Sequence, residues 1–402
     1  MDRYIVISSD CHAGLPAADY RPYVDPGLRD TFDLALPIQV EMIKKAEKSF
    51  LIQEINDEWR KDITRELTGA WDHAERIKML DKDGIAGEVI FPDGITEQNT
   101  PPFGAGLGLP TENIDPDLQW AGARAHNRWL AEFCAQAPER HAGVAVCPLL
   151  WDIDEAIKEV RWAHQNGLRA VLIPHMTNTF ECYHHVRYHP FWEVCESLGM
   201  VVNFHSGAAP SQQFFGKDFP DADPNDYPGA MGIYVSEVMW WTFRPLTFML
   251  WGGVFEKFPK LRVAFTETGT MWVIPTYLQL LEHHYHDTQF SMKLGDFRSH
   301  LSLSPLEYFR RNVALGASCM PRSDAENRAA IGTPQLMWGS DYPHPEGTWP
   351  NTSPQMLDTF KGLPEPDIAD ILGENAIRFY NFDRDKLVAH ASRIGPQKSS
   401  FQ

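Results

Sequence analysis

The chain has 402 residues, 43% hydrophobic and 22% charged, which suits a globular protein with one large core and excludes a disordered or fibrous one. Its 36 basic and 54 acidic side chains leave a net charge of −18, which argues against nucleic acid or an anionic membrane as the main partner. Six scattered cysteines (Cys11, Cys134, Cys147, Cys182, Cys195, Cys319) read as reduced thiols, and with no signal core or run of about eighteen apolar residues a cytoplasmic protein is expected.

Short runs rich in β-branched residues alternate with helical stretches, the mark of βα units around a parallel sheet. Tyr4–Ser9 is the first expected strand. Asp10 and His12 come next on alternate positions, so their side chains share one side. The stretch from Ala13 to about Ala70 is too long for a simple turn. Ala86–Phe91 is the second strand, and a second insertion runs from Asp93 to Asp115. Leu118, Ala121, Ala125, Trp129 and Phe133 recur at helical spacing and predict a helix over Asp117–Gln136. Ala142–Pro148 is the third strand. A helix over Asp152–Gln165, stopped by Gly167, leads to the fourth, Ala170–Pro174, with His175 at its end. A helix over His189–Leu198, stopped by Gly199, leads to Val201–Phe204, which ends on His205.

The third insertion runs from Ser206 to about Gly232. Its Phe214, Phe215, Phe219 and Tyr227 read equally as the apolar underside of a lid or as a packed surface loop. Val263–Thr266 ends on Glu267; Asn312–Leu315 and Leu336–Gly339 bring the strand count to eight, and Asp341 ends the last. A polar, peripheral tail is expected from about Asp383. Eight strands are what an α/β fold of the (β/α)8 TIM-barrel type needs, in a single domain with its barrel over about residues 4–380. All three insertions come after strand C-termini, so they would roof the catalytic face.

Potential ligands therefore cluster at strand ends. Asp10, His12, His205 and Asp341 make a mixed nitrogen and oxygen set for one divalent metal, zinc first, with manganese or iron as alternatives. Glu267 would be costly to bury unpaired, so it reads as a proton-transfer group, a ligand or a salt-bridged structural residue. His175 could bind substrate, shuttle protons or be structural; His344 could orient Asp341 or line the site. Hydrolysis of a small, apolar or aromatic substrate by a metal-activated water is the first expected function, with Asp341 as base and Glu267 as shuttle. The alternatives are non-oxidative decarboxylation or a related lyase reaction on an aromatic or unsaturated acid, and a barrel that binds without catalysis.

Ile-Ser-Ser-Asp-Cys-His, Asp-Gly-Ile-Ala-Gly-Glu-Val-Ile-Phe-Pro, Phe-Glu-Lys-Phe-Pro-Lys-Leu-Arg-Val-Ala-Phe-Thr-Glu-Thr-Gly and Trp-Gly-Ser-Asp-Tyr-Pro-His together resemble the amidohydrolase-2 group, which includes aminocarboxymuconate semialdehyde decarboxylase-like enzymes. The resemblance implies a distorted barrel with one divalent metal, its strand-one pair falling on Asp10 and His12 and its strand-five and strand-eight ligands on His205 and Asp341. Decarboxylase members carry a histidine where this chain has Glu267, a departure that ranks decarboxylation second. The resemblance also implies a homodimer, for which Met239–Trp251 is a candidate apolar surface.

Overall fold

The computed structural model describes residues 2–50, 57–58, 61, 67–93, 99–107, 115–177, 179–207, 228–268, 273–287 and 292–402. Part of each expected insertion lies outside the described residues, and with the third Phe214, Phe215, Phe219 and Tyr227.

Eight parallel strands run in sequence order: β1 Ile7–His12, β2 Gly87–Phe91, β3 His141–Val146, β4 Ala170–Leu172, β5 Val201–His205, β6 Val263–Thr266, β7 Val313–Ser318 and β8 Leu336–Gly339. The sheet curls until β8 meets β1, where the Asp341 N–H donates to the Asp10 carbonyl at 2.8 Å and the His12 N–H to that of Tyr342 at 2.8 Å. This is the (β/α)8 barrel expected from the strand count. The first strand starts later than its apolar run predicts, because its ladder is set by Gly87–Phe91, and it takes Asp10 and His12 into the sheet.

The longer helices are α1 Arg29–Phe50, α2 His73–Asp83, α3 Pro116–Cys134, α4 Ile153–Gln165, α5 His189–Leu198, α6 Ala230–Trp251, α7 Ile274–His286, α8 Pro305–Asn312, α9 Thr352–Phe360 and α10 Arg384–Ile394. Their ends obey local chemistry. Asp115 caps α3 ahead of Pro116, the Asp152 carboxylate accepts from the backbone of Asp154 and Glu155 to start α4, and Gly199 ends α5 at φ 67°.

Strand side chains divide by parity. Ile7, Val89, Val144, Leu172, Val201, Ala264, Ala314 and Met337 share one apolar cluster within the barrel. Their neighbours Val6, Ile90, Ala145, Val171, Val202, Phe204, Val263, Phe265, Leu315 and Trp338 pack in the cluster shared with the helices. Beyond Asp383 the chain is not peripheral. Helix α10 sends Leu387 and Ala391 into the inner cluster, and Phe401 packs edge-on to Tyr4 at 5.2 Å. The apolar stretch Met239–Trp251 places Phe243, Leu246, Met249 and Leu250 in the core and leaves Trp240 exposed. Among the described residues no helix is long and apolar enough to cross a membrane.

Candidate metal centre and acid

A bulge in β1 creates the site. Ser8 pairs with Glu88, but Cys11, three residues on, pairs with Ile90 only two further along β2. The extra residue reverses the parity of the strand end. Without it His12 would fall on the side of Ser8 and Glu88; with it His12 pairs with Phe91, on the inner face. Gly339 of β8 makes room, since a Cβ there would lie 2.8 Å from Asp10 Cβ.

Asp10, His12 and His205 offer ligand atoms within 4.8 Å of one another, as do His12, Asp341 and His344. Asp10, His12, His205 and Asp341 are all buried. Nε2 of His12 lies 3.4 Å from Asp10 Oδ1 and 3.2 Å from Asp341 Oδ1, and Nε2 of His205 lies 3.1 Å from Asp10 Oδ1. Each imidazole is oriented from behind: Nδ1–H of His12 donates to the Pro92 carbonyl at 3.0 Å and Nδ1–H of His205 to the Ser206 carbonyl at 2.9 Å. A carbonyl only accepts, so both Nδ1 atoms carry hydrogen, and Nε2 of each ring is the atom that can ligate once its own proton is lost. His12 Nε2 and both Asp341 oxygens have no hydrogen-bond partner among the described residues. This donor set fits a divalent cation.

Without a cation, protons take its place. Burial works against charge on His12, but Asp10 and Asp341 outweigh it and push the imidazole up to about 10. His205 is likewise pushed up to about 9, by Asp10 and then Glu267 against burial. Asp10 is held far below the usual carboxylate range, and Asp341 below it, by the facing histidines acting against burial. In the metal-free protein the two raised histidines stabilise the fold fully below the unfolded value near ~6.5 and lose that contribution as pH rises through about 9 to about 10. A metal must displace the same protons. The rise in Tm on adding manganese to chelator-treated protein is therefore expected to be larger at pH 8.5 than at pH 6.0; thermal melts showing an equal or smaller rise at the higher pH would contradict this.

Glu267 comes directly after β6, where parity would turn it away from the axis, since Ala264 belongs to the inner cluster and Phe265 to the outer. It adopts φ 56°, in the left-handed region, with its N–H on the Gly316 carbonyl at 2.8 Å. That turn brings a carboxylate oxygen to 3.6 Å from Nδ1 of His205, with Ser206 Oγ donating to the same oxygen. Burial, then the nearby charge of Asp341, push Glu267 up to about 7. His344 Nδ1 lies 3.2 Å from Asp341 Oδ1 and its ring stacks on His12 at 4.0 Å, so the structure brings His344 into the site. His175 is buried three residues beyond β4 and is outside the converging groups found among the described residues.

Several site residues were not legible in the sequence. Ser318 ends β7 with the inner parity of Ala314 and donates to Asp10 Oδ2. Asp93, just past β2, is half-buried, and desolvation of its carboxyl raises it against the pull of His12 and His344; its only sequence signal is a carboxylate after a strand. Arg76 of α2 is fully buried, donates to the His12 carbonyl at 2.8 Å, pairs with Glu88 at 2.7 Å and lies 4.7 Å from the Tyr342 ring centre. It thus braces the first two strands against the segment that follows the last. Arg76→Met is expected to cost about 3–5 kcal/mol by leaving Glu88 buried and charged. Denaturant unfolding of Arg76→Met beside the double variant Arg76→Met/Glu88→Leu checks this, since the double variant should recover most of the loss and equal losses would refute it.

Comparison with known proteins places these residues in context. A family model described as Amidohydrolase matches residues 68–382. The chain is 23% identical over 325 residues to 2-amino-3-carboxymuconate-6-semialdehyde decarboxylase of Dictyostelium discoideum, covering 79% of each chain. Its fold is similar to that of 5-carboxyvanillate decarboxylase from Sphingomonas paucimobilis (TM-score 0.65, 20% identity, 94% of this chain and 100% of the other). It is also similar to a Polaromonas dihydroxybenzoic acid decarboxylase solved with manganese and the inhibitor 2-nitroresorcinol (TM-score 0.60, 17% identity, 95% of this chain and 97% of the other). These relatives overturn the expectation of hydrolysis by a metal-activated water. The physical reason is that a buried cation site with an adjacent acid serves either reaction, so the residues alone do not rank them. At Glu267, where a histidine is expected of decarboxylase members, burial and the charge of Asp341 raise the carboxyl to about 7 in the metal-free chain.

Proposed function

Since the chain belongs to the amidohydrolase family, we propose that it is a metal-dependent, non-oxidative decarboxylase of a small aromatic or unsaturated carboxylic acid. Glu267 carries this reading: it is a carboxyl raised to about 7 whose oxygen stands 3.6 Å from His205, at the rim of the buried ligand cluster. The decarboxylase names of the relatives support it.

Asp10, His12, His205 and Asp341 would hold the cation, and the manganese of the Polaromonas relative makes that ion the first to test in place of zinc. When bound, the cation would supply positive charge to fix a substrate carboxylate and a neighbouring oxygen. Protonated Glu267 donates its proton to the carbon that bears the carboxylate. As that carbon–carboxylate bond breaks, its electron pair stays with the carbon, CO2 leaves, and Glu267 remains as carboxylate until it regains a proton from water. Ser206, donating to Glu267, and Ser318, donating to Asp10, keep both carboxyl groups in place. His344 steadies Asp341 through the 3.2 Å contact.

Manganese-loaded protein, incubated in D2O with hydroxybenzoates and unsaturated dicarboxylates, is expected to release CO2 and leave deuterium on the carbon that lost it. Turnover of amides or lactones with no CO2 from any acid would sink the proposal.

A further inference from the structure

Beyond the inner cluster a second set of ligands converges. Glu267, Asp341 and Glu346 bring carboxylate oxygens within 4.8 Å of one another. Three carboxylates at that separation repel unless a cation or proton lies among them. Asp341 supplies an independent sign of a ligand. It is fully buried, its Oδ1 faces His12 and His344 at 3.2 Å each, and its Oδ2 has no hydrogen-bond partner among the described residues. One ion at the inner cluster can be served by one oxygen of Asp341, leaving the other for a neighbour.

Glu346 closes this outer set from the solvent side. It is exposed, on a tight turn in which the His344 N–H donates to the Asp341 carbonyl at 2.8 Å and the Gly347 N–H to that of His344 at 3.0 Å. A Cβ on Gly347 would lie 2.7 Å from the Ser340 carbonyl, so only glycine lets the turn fold back so closely. The inner cluster mixes imidazole with carboxylate, whereas the outer set is oxygen alone and open to water on one side. Such donors favour magnesium, calcium or manganese over zinc.

We propose that Glu267, Asp341 and Glu346 form an outer site for a second, hard divalent cation that shares Asp341 with the inner centre, and that filling it inhibits the enzyme. The inhibitory half rests on the decarboxylase reading, because an ion on Glu267 occupies the oxygens that reading needs for proton donation.

Manganese titrated into the chelator-treated full chain, with bound metal measured after equilibrium dialysis, is expected to give roughly two ions per chain, one tight and one weak, with calcium displacing the weak one. In Glu346→Gln the weak ion should be lost and the tight one kept, and CO2 release should no longer fall once manganese exceeds the first equivalent. A wild-type chain that saturates at roughly one ion overturns the site, as does a weak ion that persists in Glu346→Gln or resists calcium. If the weak ion behaves as expected but no acid releases CO2, the site stands, and the decarboxylase reading falls with the inhibition drawn from it.

Discussion

Asp341→Asn is expected to give a folded protein that has lost the tight metal and at least on the order of 10³-fold in turnover. Asp341 stands between the groups of the site: it lies 3.2 Å from His12 and from His344, has the Glu267 and Glu346 carboxylates within 4.8 Å, and holds the Asp10 carbonyl through its own N–H at 2.8 Å. The amide keeps the shape and that backbone bond but removes the charge that competes for the cation. It also places an NH2 donor where the cation or a histidine would lie. Metal analysis and circular dichroism on one sample separate the causes. A native spectrum without metal meets the expectation, whereas full metal content at normal turnover would remove Asp341 from the ligand set.

Glu267→Gln is expected to keep the tight metal and the wild-type Tm in its presence, yet lower CO2 release by about 10²–10⁴-fold. Glutamine fills the same space and accepts from Ser206, but it cannot give up a proton to carbon. The pH profile gives the sharper test. Glu267 is the acid, so wild-type activity should fall as pH rises through the value at which it ionises, about 7 in the metal-free chain and at or below that with a cation beside it. That descending limb should be absent from whatever activity Glu267→Gln retains. Loss of the tight metal in this variant would make Glu267 an inner ligand and end the division of roles between the four ligands and the acid.

The convergence of the four proposed ligands was legible because strand ends are short-range features. Asp10, His12, His205 and Asp341 each come at the end of an apolar run, and in a parallel barrel all such ends open on one face. Helix stops were legible for the same reason: Gly167 at φ 82° and Gly199 at φ 67° hold backbone conformations that glycine adopts freely. The braces behind the ligands were not legible. Arg76 comes from α2, and an isolated arginine in a helix looks solvent-exposed until Glu88 and the His12 carbonyl close around it. Ser318 reads as a loop residue because the apolar run of β7 ends early, while the ladder to β8 extends to the Ser318–Gly339 pair.

The amino-acid sequence by itself determined the barrel, the strand order and the identity of the residues at its mouth, since these depend on periodicity and on which side chains end each apolar run. Only the tertiary structure decided which way those residues face. Period-two alternation runs true only while a strand stays regular, and here a bulge between Ser8 and Cys11 and a left-handed turn at Glu267 each break it. Both irregularities are fixed by neighbouring strands distant in sequence, β2 at the first and β7 at the second. A local pattern carries no trace of them, and they are what bring His12 and Glu267 to the same centre.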